Sequence, residues 1–240
     1  HEIFHQQGNF TPRQQRKLAA MEQSCVGQMS LFTTVNDAIA DYFQSLYGFR
    51  PIVLHNCAET PPEGFDRDAR RRLRELARLP GDARVLLYQG WFSPERNLLS
   101  LVQAAEYLPE GWSLAMIGYG DYERVLREAL DGKAHAERVR FLGRVPSEEI
   151  LSLTAGADAG IIPYQPVDLN HVLCSPNKFF EFVQTGVPVI AHDLAFFRGM
   201  GERFGVVHVG DLSVPEAIGR TVRPLLENAG RLEQMRAACR

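Results

Sequence analysis

From Arg84 onward the chain repeats one unit: a short apolar run, then an amphipathic stretch of helical period. The runs fall at residues 85–88, 114–117, 139–142, 160–163, 187–191 and 206–209. They are rich in Val, Ile and Leu and do not alternate with polar residues, as expected of strands covered on both faces. Between them, Leu98, Leu101, Val102, Ala105 and Leu108 make one helical stripe. Tyr122, Val125, Leu126, Ala129 and Leu130 make the next, with Asp121 expected as its cap and Gly132 just past its end. Such units predict an α/β fold, a Rossmann-like doubly wound parallel sheet with right-handed crossovers. Ligands in such sheets bind beyond the carboxyl ends of the strands, so the loops after each strand are where function is to be sought.

Upstream the pattern is thinner. Thr11 and Pro12 open a helix with Leu18, Met21 and Cys25 on one face. A strand is expected over 29–35, a helix from Asn36 to Gly48 with Ile39, Tyr42, Phe43, Leu46 and Tyr47 as its stripe, and another strand over 51–54. One strand–helix–strand unit is a partial second Rossmann-like domain, assigned to residues 1–58. Residues 59–82 read as a Pro/Gly linker and an arginine-rich helix, and 83–240 as the main domain. Six arginines (67, 70, 71, 72, 74 and 78) invite a phosphate-binding reading, but they mix with Asp66, Asp68 and Glu75. That mixture predicts a solvated surface helix.

Several classes of function drop out. No apolar run approaches the ~18 residues of a membrane span. The net charge of −3 argues against binding nucleic acid through general phosphate attraction. Cys25, Cys57, Cys174 and Cys239 lie far apart, which fits neither a zinc knuckle nor a disulfide framework and suggests a reducing compartment. No signal peptide is visible, and the chain opens on His1. Residues 1–5 satisfy HExxH, with Glu22 a conceivable third zinc ligand, but nothing precedes them to build the helix that zinc chemistry needs. No metal site is expected.

The loops are more informative. After the first strand, Gly90 allows close backbone approach, and Arg96 at the next helix start can neutralise a phosphate. Gly118 and Gly120 follow the second strand, lacking the third glycine of a dinucleotide fingerprint. Gly143, Arg144 and Val145 follow the third. The fourth connection is long and carries His171, a candidate catalytic residue, before Ser175-Pro176-Asn177-Lys178. Ser175 is expected to cap a helix whose first residue is Pro176, leaving free N–H groups and Lys178, partly exposed, facing a diphosphate. Glu181 lies three residues on and can accept bonds from sugar hydroxyls. Taken alone, Lys178 and Glu181 would also suit an ordinary exposed pair.

The stretch SPNKFFEFVQTGVPVIA at 175–191 resembles the donor-binding segment of glycosyltransferase family 4, the "group 1" enzymes of the GT-B fold. YQGWFSPERNLLSLVQAA, LAMIGYGDYE, VRFLGRVPSEEI and ADAGIIPY agree with it in order. SLFTTVNDAIADYFQSLYG resembles the end of the family's N-terminal Rossmann domain, and His1-Glu2 its HE pair, making His1 a second catalytic candidate. The resemblance implies retaining transfer of a sugar from a nucleotide diphosphate sugar to a glycan, lipid or small-molecule acceptor, with no essential metal or other cofactor. Glu181 would hold the ribose. Lys178, Ser175, Asn177 and Arg96 would face the diphosphate, with Gly90, Gly118, Gly120 and Val145 completing the donor site. Leu173 stands where many members carry an earlier glutamate, and Trp91 where an arginine commonly follows the first glycine.

In this reading residues 1–58 are the remnant of the acceptor-side domain, and the chain alone is expected to bind nucleotide with negligible transfer. The expected location is the cytoplasm, extending to the inner face of a bacterial membrane, with peripheral association through the rest of the N-terminal domain. Self-association through Ile3, Phe4, Leu18 and Met21 is a further expectation. A nucleotide-sugar epimerase and a non-catalytic nucleotide-binding module are the alternatives.

Overall fold

The computed structural model describes residues 3, 10–57 and 68–240. His1, the rest of the HExxH segment apart from Ile3, and the 60–64 linker lie outside the described residues. Among those described, no helix is long and apolar enough to cross a membrane.

Six parallel strands form the main sheet: β3 (Arg84–Trp91), β4 (Trp112–Tyr119), β5 (Val139–Gly143), β6 (Ala159–Ile162), β7 (Val189–His192) and β8 (Val207–Gly210), in the order β5-β4-β3-β6-β7-β8. Before them come α1 (Pro12–Val26), β1 (Thr33–Thr34), α2 (Asp37–Tyr47), β2 (Ile52–Val53) and α3 (Ala69–Ala77). The crossovers are α4 (Leu98–Gln103), α5 (Glu123–Glu128), α6 (Ser147–Thr154), α7 (Leu169–Leu173), α8 (Asn177–Gln184) and α9 (Ala195–Phe204), and α10 (Pro215–Leu226) and α11 (Ala229–Ala238) close the chain.

The missing alternation has the expected cause. Successive side chains of a strand point to opposite faces. Leu86 and Tyr88 of β3 join a core with Leu98, Leu126, Val222 and Met235 from α4, α5, α10 and α11. Val85 and Leu87 join a second core with Leu73, Leu153, Phe182 and Phe197 from α3, α6, α8 and α9. Both faces are dry, so both need apolar residues.

Three local expectations are corrected, and the fourth connection gains a helix. The strand over 29–35 shrinks to Thr33–Thr34, because its parallel partner β2 is equally short; Met29 and Leu31 are left exposed. Asp121 does not cap α5: the helix starts at Glu123 after Tyr122, with no side-chain cap, and the Glu123 N–H donates to Gly120 O. The long fourth connection contains a short helix, α7, capped by Asp168, whose side chain accepts from the His171 N–H at 2.8 Å. Finally, α3 is not wholly solvated. Arg74 is 1% exposed, its guanidinium paired with Asp158 at 2.6 Å and donating to the carbonyls of Ala83, Gly156 and Arg70. A cation can be buried there because both its charge and its N–H groups are answered. The exposed members behave as expected, Arg71 pairing with Asp68 and Glu75.

The expected caps of α1 and α2 are present. Thr11 forms a capping box with Gln14, and Asn36 accepts from the Ile39 N–H at 2.8 Å. α2 stops at Gly48 in the left-handed conformation. The α1 stripe is not buried among the described residues: Met21 and Cys25 are exposed. The β1–α2–β2 unit meets the main domain through a small core of Ile3, Val35, Ile39 and Phe43 against Leu169 and Leu173. Asn36 also donates to Leu173 O, and Asn56 to Asn177 Oδ1, each at 2.7 Å.

Candidate active site

The sheet reverses its winding between β3 and β6, and loops leaving those strands diverge to open a crevice. A cleft of about 1010 Å³ lies there. The end of β3 and the turn after it give it Gln89, Gly90, Trp91 and Arg96; the connection after β6, including α7, gives Tyr164, Asp168, His171 and Cys174; α8 and its approach give Ser175, Asn177, Lys178 and Glu181. Val35 and Asn56 border it from the β1–α2–β2 side.

Lys178 differs from expectation. It is 7% exposed, not partly exposed, and its Nζ has no hydrogen-bond partner among the described residues. The amine lies 4.1 Å from the centroid of the Tyr88 ring and 5.1 Å from that of Tyr164. Burial, followed by the nearby Arg96 cation, holds its pKa well below the ordinary lysine range; Glu181 opposes the shift. Gly90 makes room for it: a Cβ there would sit 2.7 Å from Nζ, and its φ of +127° suits only glycine.

Other donors converge on the same place. Arg96 ends a 3₁₀ turn (Pro94–Arg96), lays its guanidinium 4.9 Å from the centroid of Tyr164, and leaves a buried Nε unpaired. Tyr164 OH and Ser175 Oγ are buried and unpaired as well. Ser175 was expected to cap α8, but the helix begins at Asn177 with Pro176 in the cap position and no side-chain cap. Proline's extended backbone displaces the serine one residue outward, so the α8 N-terminus keeps its N–H groups uncapped by Ser175. The unpaired atoms are N–H, O–H and amine groups around one cleft, a set that matches a ligand rich in acceptor oxygens.

Glu181 is half-buried, and its hydrogen-bond partner is not Lys178. The Gln89 amide nitrogen donates to Glu181 Oε2, while Gln89 Oε1 accepts from Thr154 Oγ1 at 2.8 Å. Across the cleft, Asp168 Oδ1 lies 2.8 Å from His171 Nδ1. A carboxylate only accepts, so Nδ1 carries the proton in this contact and the ring is held in one orientation. Cys174 also lines the cleft, its thiol pushed up to about 12 by burial.

Gly90, Arg96, His171, Ser175, Asn177, Lys178 and Glu181 thus border one cleft. Gly118, Gly120 and Val145 are not among its lining residues. Gly118 and Gly120 let β4 end against β3: a Cβ on them would lie 1.9 Å from Gly90 O and 2.3 Å from Phe92 O. Val145 packs half-buried against the second core. Sequence reasoning missed Gln89, Thr154 and Tyr164. A glutamine inside an otherwise apolar strand run was the one available signal, since a buried amide needs partners.

Residues 83–228 match the family model described as glycosyl transferases group 1. A Bacillus subtilis (strain 168) protein provisionally named teichuronic acid biosynthesis glycosyltransferase TuaC is 23% identical over 180 residues, 75% of this chain and 42% of the relative. WaaG, a glycosyltransferase involved in lipopolysaccharide biosynthesis, superposes with a TM-score of 0.67 at 16% identity, covering 87% of this chain and 56% of WaaG. Anabaena HepE in complex with UDP and glucose gives 0.66 at 18% identity, covering 88% and 57%. The chain therefore spans about half the length of these relatives.

Proposed function

The chain belongs to the glycosyl transferases group 1 family, and on that premise we propose that it carries the donor-binding part of a retaining glycosyltransferase. The observation that carries this reading is the set of unpaired buried donors at Arg96, Tyr164, Ser175 and Lys178 around one cleft. The diphosphate of a nucleotide sugar supplies the matching acceptors and the negative charge. HepE and its bound UDP provide the precedent within the same fold.

In this reading Glu181 accepts from the ribose hydroxyls, while Lys178, Arg96 and the N-terminus of α8 face the diphosphate. In the transfer step the bond between the sugar C1 and the diphosphate oxygen breaks, its electron pair staying on that oxygen. A new C1–O bond forms to the acceptor hydroxyl on the same face, and the hydroxyl proton goes to the departing phosphate oxygen. The charge released is offset by Arg96, by the N-terminus of α8 and by Lys178, whose charged form the diphosphate favours, and this reading gives no role to a resident metal. His171, oriented by Asp168, borders the same cleft and contacts the transferred sugar. The acceptor is a glycan, lipid or small molecule, met largely by residues outside this chain, and the site works in the cytoplasm.

A thermal-shift screen with UDP, GDP, ADP and dTDP tests the reading. Binding adds about 2.7 kcal/mol at a hundred times Kd. One diphosphate should raise the melting temperature clearly more than its nucleoside does. No shift with any of the four would overturn the proposal.

A further inference from the structure

Gln89 is 2% exposed in the middle of a strand whose other inward residues are apolar. A buried amide must satisfy a carbonyl and an NH₂ group, and here both are answered by functional-site or adjacent groups. On one side is the Glu181 carboxylate, on the other the Thr154 hydroxyl.

The direction of this chain follows from donor and acceptor inventory. An ionised carboxylate only accepts, so the Gln89 NH₂ must face Glu181. Its carbonyl then faces Thr154, whose hydroxyl lies 2.8 Å from Gln89 Oε1 and 2.7 Å from Ile150 O and donates between them. Thr154 is completely buried on α6, so it holds the amide from a fixed element. One Glu181 oxygen, Oε2, is thereby pinned, and the carboxylate cannot swing freely about its last torsion.

We infer that Gln89, backed by Thr154, is a positioning residue for Glu181: it fixes the carboxylate so that the other oxygen, Oε1, is presented to the sugar hydroxyls of the bound nucleotide. The inference rests on the proposed ribose role of Glu181. Gln89 itself touches no ligand in this account and acts through the carboxylate. Pre-organising an acceptor in this way strengthens binding because the ordering cost is met before the ligand arrives.

The test is calorimetric titration of the 240-residue chain with uridine and with UDP, or the base preferred in the thermal-shift screen. Gln89→Leu keeps the volume and removes the amide. It should weaken nucleoside binding about tenfold. Glu181→Ala should weaken it similarly, and adding Gln89→Leu to Glu181→Ala should cost nothing more, because the two act through one contact. Additive losses would mean that Gln89 only supports the core and would overturn the inference.

Gln89→Glu supplies a second readout. Two carboxylates facing each other share a proton at low pH, and the protonated one can donate as the amide did. Nucleoside affinity of this variant should approach wild type near pH 5 and fall by pH 8, whereas wild type should vary less. A flat profile for Gln89→Glu would count against the positioning role. Failure of Glu181→Ala to weaken nucleoside binding would sink the ribose assignment itself, and a normal effect there with an unaltered Gln89→Leu would sink only the present inference.

Discussion

The amine of Lys178 occupies the space that a side chain at Gly90 would fill. A Cβ built on Gly90 lies 2.7 Å from Nζ and 3.2 Å from Cε. One residue at the end of β3 is therefore empty so that another, from the first turn of α8, can reach the floor of the cleft. The two ring faces of Tyr88 and Tyr164 complete the enclosure.

Gly90→Ala should damage the site twice. The methyl pushes Lys178 aside, and the φ of +127° is strained for any other residue. Diphosphate affinity should fall at least tenfold, with a loss of stability on the order of 1–3 kcal/mol. Denaturant unfolding and UDP titration of this variant check both. An alanine variant binding UDP like wild type would show that Lys178 has room elsewhere.

The burial of Lys178 makes a pH prediction. Its folded pKa is depressed by desolvation, so between that value and about 10.4 the unfolded chain binds a proton that the folded chain does not. This group's contribution to stability is therefore fully present above the unfolded pKa and is lost as pH falls through the folded one. Wild type should gain stability relative to Lys178→Met as pH rises from 7 to 9.5, measured by urea unfolding at each pH. Parallel profiles would contradict the buried, depressed amine. A diphosphate favours the charged form, so wild-type UDP affinity should fall over the same range, and more steeply than that of Lys178→Met.

Much of this was legible in sequence, and the exceptions have a common cause. The non-alternating runs at 85–88 and 114–117 announced strands covered on both faces, because that burial is a property of each strand's own residues. The caps at Thr11 and Asn36 were equally local. Lys178 misled because its enclosure depends on Tyr88 from one strand and Tyr164 from the loop after another. Arg74 misled for the same reason: its partner, Asp158, lies 84 residues further on. Ser175 looked like a cap by composition, and only the extended backbone of Pro176 moved the helix start past it.

The Arg74–Asp158 pair gives a stability prediction away from the cleft. Asp158 also accepts from the Val85 N–H at 2.8 Å and pairs with Arg70 at 2.5 Å, tying α3 to β3 at the end of the sheet opposite the site. Asp158→Ala leaves a buried guanidinium without its anion and should cost about 3–5 kcal/mol. Arg74→Met keeps the packing and removes the charge, so it should cost less. Equal losses in chemical denaturation would show that packing, not charge, holds α3 in place.

The central claim is that one cleft holds a nucleoside diphosphate, with the phosphates at Lys178 and Arg96 and the ribose at Glu181. The most direct measurement is calorimetric titration of wild type, Lys178→Ala and Glu181→Ala with UDP and with uridine, or the corresponding pair for the preferred base. Lys178→Ala should lose about ten- to hundredfold in affinity for the diphosphate, the equivalent of roughly 1.5–3 kcal/mol for a charge-assisted contact, and little for the nucleoside. Glu181→Ala should weaken both ligands. Equal losses for both ligands in Lys178→Ala, or none for either in Glu181→Ala, would contradict this placement of the nucleotide.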